Sequence, residues 1–181
     1  MANSMYTWVS VDNLTNKSKK ELIELLSPES GSSSLDATTF SNRYFVGKEP
    51  TENYDLYSFR IDEYGAKWWY VNDVDNFIDN DISFTIESAW SVPQELLKKL
   101  RNWLIEESPD VVIRGTYEDE SYEPIGAFIY AKDYDDIEDC DIDINHDKLF
   151  EDDEYRESID EERINLSDTL FESYNTTKKE D

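Results

Sequence analysis

Histidine and cysteine occur once each in this chain, as His146 and Cys140, and Lys and Arg together number 17 against 43 Asp and Glu. A single cysteine excludes an internal disulfide and a cysteine-rich zinc site. Cys140 lies between Asp139 and Asp141, whose charges disfavour the thiolate that a reactive cysteine needs. His146 sits within Asp141-Ile-Asp-Ile-Asn145-His-Asp147, where carboxylates favour the protonated ring and suit a surface cation better than a general base. There are only five glycines, with no Gly-rich phosphate loop, no HExxH and no GxSxG. The chain therefore reads as a non-enzyme with no cofactor and no dedicated metal. No apolar run approaches the about 18 residues of a membrane helix, and Met1 to Asn13 lacks the basic region and long apolar stretch of a signal peptide. A cytoplasmic protein with no membrane partner is expected.

What is abundant is negative charge. The formal net charge is −26 over 181 residues, the charge of about 13 base pairs of duplex DNA. A compact domain of this length has a radius of gyration near about 16 Å, so the charge density is DNA-like in order of magnitude. Such a field repels nucleic acid and attracts proteins that bind it, while keeping the chain soluble, as a monomer or homodimer. Plain solubility or halophilic adaptation is the competing explanation. Aromatic residues make up 14% of the chain, too many for a disordered acidic tail, so at least one packed domain is required.

Alternation over Met5 to Leu14 predicts a strand, and Leu22, Ile23, Leu25 and Leu26 share a helical face over Lys17 to Leu26. Pro28 to Pro50 reads as an irregular insertion with at most a short helix. Leu56 to Ile61, Lys67 to Val71 and Asp81 to Trp90 are predicted strands, the last alternating Ile82, Phe84 and Ile86 with Ser83, Thr85 and Glu87. A helix follows from Pro93 through Leu104, then strands at Val111 to Tyr117 and Ile125 to Lys132 across an acidic connection, Glu118 to Glu123. The order β-α-(insert)-β-β-α-β-β is that of an α+β, ferredoxin-like split βαβ antiparallel sheet with helices on one face. That domain spans 1–132. Between Asp133 and Glu162 stand sixteen acidic and two basic residues, so 14 of the 26 net charges fall in 30 residues. Interleaved Tyr and Ile predict that residues 133–172 pack on the sheet, with an edge strand at Ile137, Ile142 and Ile144 and acidic helices over Leu149 to Phe171. Residues 173–181 read as a disordered tail.

Between Ala66 and Leu104 the sequence resembles the YubB-type ferredoxin-like domain of small phage and plasmid proteins. The resemblance rests on Gly65-Ala66-Lys67-Trp68, Ile82-Ser83-Phe84-Thr85-Ile86 and Ser88-Ala89-Trp90-Ser91-Val92-Pro93 ahead of a Leu- and Trp-bearing helix. It covers about the first 130 residues; Trp69 departs from the polar residue usual after Trp68, and the acidic C-terminal part is not typical. The resemblance implies the fold and a mobile-element origin, and brings no catalytic residues.

Asp141, Asp143, Asn145 and Asp147 fall at calcium-loop spacing, but His146 stands where glycine is required and Asp152 where a bidentate Glu belongs, so the match is degenerate. Asp73, Asp75, Asp79 and Asp81 read as a solvated loop. A base-stacking surface of tryptophans fails on charge, and core packing of Trp68 or Trp69, Trp90 and Trp103 is expected instead. The acidic-aromatic alternation remains. Carboxylates on a folded scaffold stand where phosphates would, with their mutual repulsion already met during folding. The expected function is a phage- or mobile-element-borne inhibitor of a host defence system, a CRISPR effector or restriction enzyme, acting as a DNA mimic in its basic channel. The expected partner-binding residues are Glu118, Asp119, Glu120, Asp133, Asp135, Asp136, Glu138, Asp139, Asp141, Asp143, Glu151, Asp152, Asp153 and Glu154. The expected partner is a basic nucleic-acid-binding host protein, with no direct nucleic-acid binding. Two alternatives stand: an acidic adaptor that binds a basic host protein without displacing nucleic acid, and a divalent-cation-dependent enzyme or calcium module on the Asp clusters.

Overall fold

Alternation in the first strand decides how the molecule is layered. Met5, Thr7, Val9 and Val11 are buried on one face of β1 (Ser4–Asp12), while Tyr6, Trp8 and Ser10 point to the other. In the computed structural model, which describes residues 3–29, 31–43, 50, 52–76 and 81–180, the strand is followed by α1 (Asn16–Leu26), β2 (Leu35–Asp36), α2 (Ala37–Arg43) and α3 (Asn53–Tyr64). Then come β3 (Trp69–Asn76), β4 (Ile82–Ala89), α4 (Gln94–Ile105), β5 (Val112–Asp119), β6 (Ile125–Ala131), β7 (Tyr134–Asp139), α5 (His146–Glu151) and α6 (Asp153–Glu180). The strands form one antiparallel sheet in the order β2-β3-β4-β1-β5-β6-β7. Strand β4 lies between β1 and β3, and β1 between β4 and β5, so α4 carries the chain from β4 across β1 to β5, while α1 carries it from β1 past β4 and β3 to β2.

Helices α1 and α4 cover the face that carries Val9, Val11, Ile82, Phe84, Ile86, Ile113, Phe128 and Tyr130. Leu22, Leu25 and Leu26 of α1 recur at helical spacing and are buried there, behind a Thr15 cap that accepts the Ser18 N–H at 3.2 Å. Leu96, Leu97, Leu100 and Leu104 do the same for α4. The close approach of β5 to its neighbours requires glycine at 115: a Cβ there would stand 1.9 Å from the Trp8 carbonyl oxygen and 2.9 Å from the Phe128 ring.

Helix α6 lies on the opposite face. Leu170 and Tyr174 close over Val112, Ala127, Ile129 and Ala131, and a smaller cluster joins Ile125, Ile144, Leu149 and Ile159. Helices therefore cover both faces, not one. This is why every residue of β6 is buried, the pattern of a strand covered on both sides. The acidic segment docks on the sheet, and its first part, β7, is a strand of that sheet. The boundary expected at 132/133 falls in the β6–β7 turn, and Ile142 and Ile144 follow the strand instead of lying in it. Residues 173–180, expected as a disordered tail, continue α6: Tyr174 is buried and Lys178 reaches Asp110 at 2.6 Å.

Leu56 to Ile61, expected as a strand, belongs to α3. Its Tyr, Phe and Ile favour strands, but Leu56, Phe59, Arg60, Glu63 and Tyr64, the sheltered residues there, recur at helical spacing. Gly65, left-handed at φ 84°, ends the helix with its N–H on the Ile61 carbonyl at 2.9 Å.

Candidate partner-binding surface

The expected acidic residues divide between structural carboxylates and exposed ones. Asp119 is 4% exposed; its Oδ1 accepts the Ser121 N–H at 2.9 Å and the Ser121 hydroxyl at 2.5 Å, so it shapes the β5–β6 turn and presents no charge to a partner. Glu118, placed by sequence in a connection, is on β5 and pairs with Arg163 of α6 at 2.6 Å, with side-chain exposures of 17% and 12%. Burial raises the Glu118 carboxyl above its ordinary pKa, against the Arg163 charge that lowers it. Asp135 pairs with Arg101 at 2.6 Å. Asp139 accepts the Tyr117 hydroxyl at 2.5 Å, and burial followed by that bond drives the Tyr117 phenol up. Asp152 accepts the Tyr155 N–H at 3.1 Å at the start of α6.

The rest face outward. Glu120 and Asp133 stand at turns, Asp133 with φ 60°. Asp136 and Glu138 leave β7 on the α6 side, and Asp141 and Asp143 follow along residues 140–145. Between that segment and α6 runs a concavity of about 580 Å³ lined by Glu138, Asp139, Asp141, Asp143 and Glu162. Glu151, Asp153 and Glu154 surround the α5–α6 junction.

Four carboxylates beyond the expected residues, Glu157, Glu161, Asp168 and Glu172, complete the surface. Glu154, Glu157, Glu161, Asp168 and Glu172 are all exposed; at 100° per residue they fall within an arc of about 60° on α6 and span about 27 Å. The i, i+3, i+7 spacing is present in the sequence within the helical stretch expected over Leu149 to Phe171, but the acidic segment counted by charge ends at Glu162, which leaves out Asp168 and Glu172. Asn145 caps α5, accepting the Lys148 N–H at 3.2 Å, so the calcium-like spacing is interrupted by a helix. Among the described residues no group of three or more His, Cys, Asp or Glu is arranged to hold a metal ion. Asp79 of the other acidic run lies outside the described residues. Burial, followed by the Glu162 charge, pushes the Cys140 thiol up, which keeps it protonated.

Of the tryptophans, Trp69 packs in the core with Phe40 and Tyr64, and Trp103 packs partly against it. Trp90, expected in the core, is 54% exposed: at φ 62° it leaves the strand alternation and lies 5.2 Å from the Lys67 ammonium. No helix among the described residues is long and apolar enough to cross a membrane. Fold and surface define an acidic α+β protein with carboxylates displayed on an edge strand and a docked helix. No family model, curated protein or solved structure matches the chain.

Proposed function

We propose that this chain is a stoichiometric inhibitor that occupies the basic nucleic-acid channel of a host defence protein, a CRISPR effector or restriction enzyme, in place of DNA. The observation that carries the reading is the α6 stripe with its neighbours on β7 and the segment after it: eight exposed carboxylates, counting Glu138, Asp141 and Asp143, on elements docked to the sheet. β7 is hydrogen-bonded to β6, and α6 is anchored by Ile159, Leu170 and Tyr174. Five charges over about 27 Å are roughly half the linear density of one DNA strand, which carries one per about 3.4 Å. The Lys and Arg of a channel then gain pairs with charges already in place, and steering by the −26 field speeds encounter. In this reading the strand order β3-β4-β1-β5 with α1 and α4 is a ferredoxin-like core of YubB type and mobile-element origin, and α6 is an addition that supplies the charge. The chain binds through its surface and performs no chemistry. Capture of bacterial proteins on the immobilised chain tests this: release of one nucleic-acid-binding complex by duplex DNA is expected, and retention of the partner in saturating DNA identifies an adaptor instead.

A further inference from the structure

Helix α6 covers the sheet over β5 and β6, reaches β1 through Arg163 at Trp8, and leaves the same face of β4 and β3 open. Across it one row places Tyr70 opposite Glu87 and Glu87 opposite Tyr6. Neighbouring strands lie about 4.8 Å apart, so the two tyrosines flank Glu87 at a spacing comparable to the about 6 Å over which a cation and a ring face attract. Tyr70 is 42% exposed and Tyr6 partly exposed. The Ser4 hydroxyl donates to Glu87 Oε1 at 2.9 Å and orients the carboxylate.

Twice the chain seats one of its own arginines between an aromatic ring and a carboxylate. Arg163 lies 4.3 Å from the Trp8 ring centroid while pairing with Glu118 and Asp160, and Arg114 lies 4.5 Å from that of Phe171 while pairing with Asp12 at 2.6 Å. Among the described residues no Lys or Arg of the chain lies over Tyr6 or Tyr70. We propose that the Tyr70–Glu87–Tyr6 row is a receptor for an arginine side chain of a basic protein partner.

The inference rests on the reading of this chain as the ligand of a basic protein. Charge selects the occupant. Stacked nucleobases bring phosphates that the −26 field repels, and a second copy brings another 26 negative charges. Arginine suits the row better than lysine because a planar guanidinium stacks on rings and pairs with a carboxylate at once. On the same strands a concavity of about 340 Å³, lined by Trp8, Ser83, Thr85, Asp73, Asp75 and Arg114, offers a place for the polypeptide that carries the arginine.

Calorimetric titration of the full chain with an arginine hexapeptide and a lysine hexapeptide tests the receptor. The wild type is expected to bind the arginine peptide more tightly, and Tyr6→Ala with Tyr70→Ala to weaken that peptide about tenfold, at a few-fold per ring, and abolish the preference. Tyr6→Phe with Tyr70→Phe keeps the rings and is expected to keep the preference. Should the alanine pair unfold, Glu87→Gln reads the same loss. Neutralising the α6 stripe is expected to weaken both peptides alike and leave the preference intact. No preference in the wild type, its survival in the alanine pair or in Glu87→Gln, or tighter binding of single-stranded DNA than of the arginine peptide overturns the proposal. Peptide binding needs no cellular target, so its failure is distinguishable from failure of DNA competition.

Discussion

Arg163 is the clasp between α6 and the sheet, and Arg163→Ala is the most informative single change. Its guanidinium is held at once by Glu118 at 2.6 Å, Asp160 at 2.8 Å and the Trp8 ring. Truncation leaves the half-buried Glu118 carboxyl without the cation that opposes its desolvation. Removing one partner of a buried pair costs about 3–5 kcal/mol and of an exposed pair under about 1 kcal/mol. Exposures of 12% and 17% place this pair between those limits, so about 2–3 kcal/mol is expected, including up to about 1 kcal/mol from the stack on Trp8. For a chain of this size that is about 5–10 °C in Tm. Urea unfolding read from tryptophan fluorescence measures it. The loss is expected to shrink as pH falls and Glu118, its carboxyl raised by burial, takes up a proton, so that its missing partner matters less. Adding Glu118→Gln to Arg163→Ala is expected to recover most of the loss at pH 7, because the stranded charge is removed. A loss below about 0.5 kcal/mol, far under the range for a half-buried pair, or one independent of pH, would refute the clasp.

Glu118 itself gives a second expectation. Its carboxyl is raised in the fold, so the folded state binds its proton more tightly than the unfolded chain and stability falls as pH rises from the unfolded value through the raised one; Glu118→Gln is expected to flatten that part of a Tm-against-pH curve. Gly115→Ala drives a methyl into the Trp8 carbonyl, and a loss of at least about 1–3 kcal/mol is expected in denaturant unfolding. Tyr174 is buried against the sheet, so Tyr174→Ala is expected to lower stability by about 2–4 kcal/mol and to collapse amide-exchange protection along the last turns of α6. An unchanged exchange pattern would show those turns to be unanchored.

The strands that alternate cleanly were legible from their residues. In β1 and β4 the buried and wet residues are separated by period two, and in α1 and α4 the leucines recur at period 3.6; in each case one face meets one layer of core. The sequence misled where two preferences compete. Tyr57, Phe59 and Ile61 favour strands one by one, but the Gly65 cap and the seating of Tyr64 beside Phe40 and Trp69 settle a helix. The end of α6 was hidden because polar Ser, Asn, Thr and Lys dilute its apolar face to Leu170 and Tyr174, so docking holds a segment whose composition looks like a tail. Of the acidic surface, the concentration of charge was legible. The division of labour was not, since nothing local distinguishes Asp119, buried under a turn, from its exposed neighbour Glu120. The Tyr70–Glu87–Tyr6 row joins three strands distant in sequence and exists only through register.

The central claim is that exposed carboxylates on α6 and β7 stand in for nucleic-acid phosphates. Its most direct measurement titrates the chain into a preformed complex of the captured partner with fluorescent duplex DNA, comparing wild type with the variant carrying Glu157→Gln, Glu161→Gln, Asp168→Asn and Glu172→Gln. Full displacement of the DNA near one equivalent of wild type, with a weaker and less salt-dependent variant, is the expected result. A stable ternary complex, or a variant that displaces DNA as well as the wild type, would contradict it.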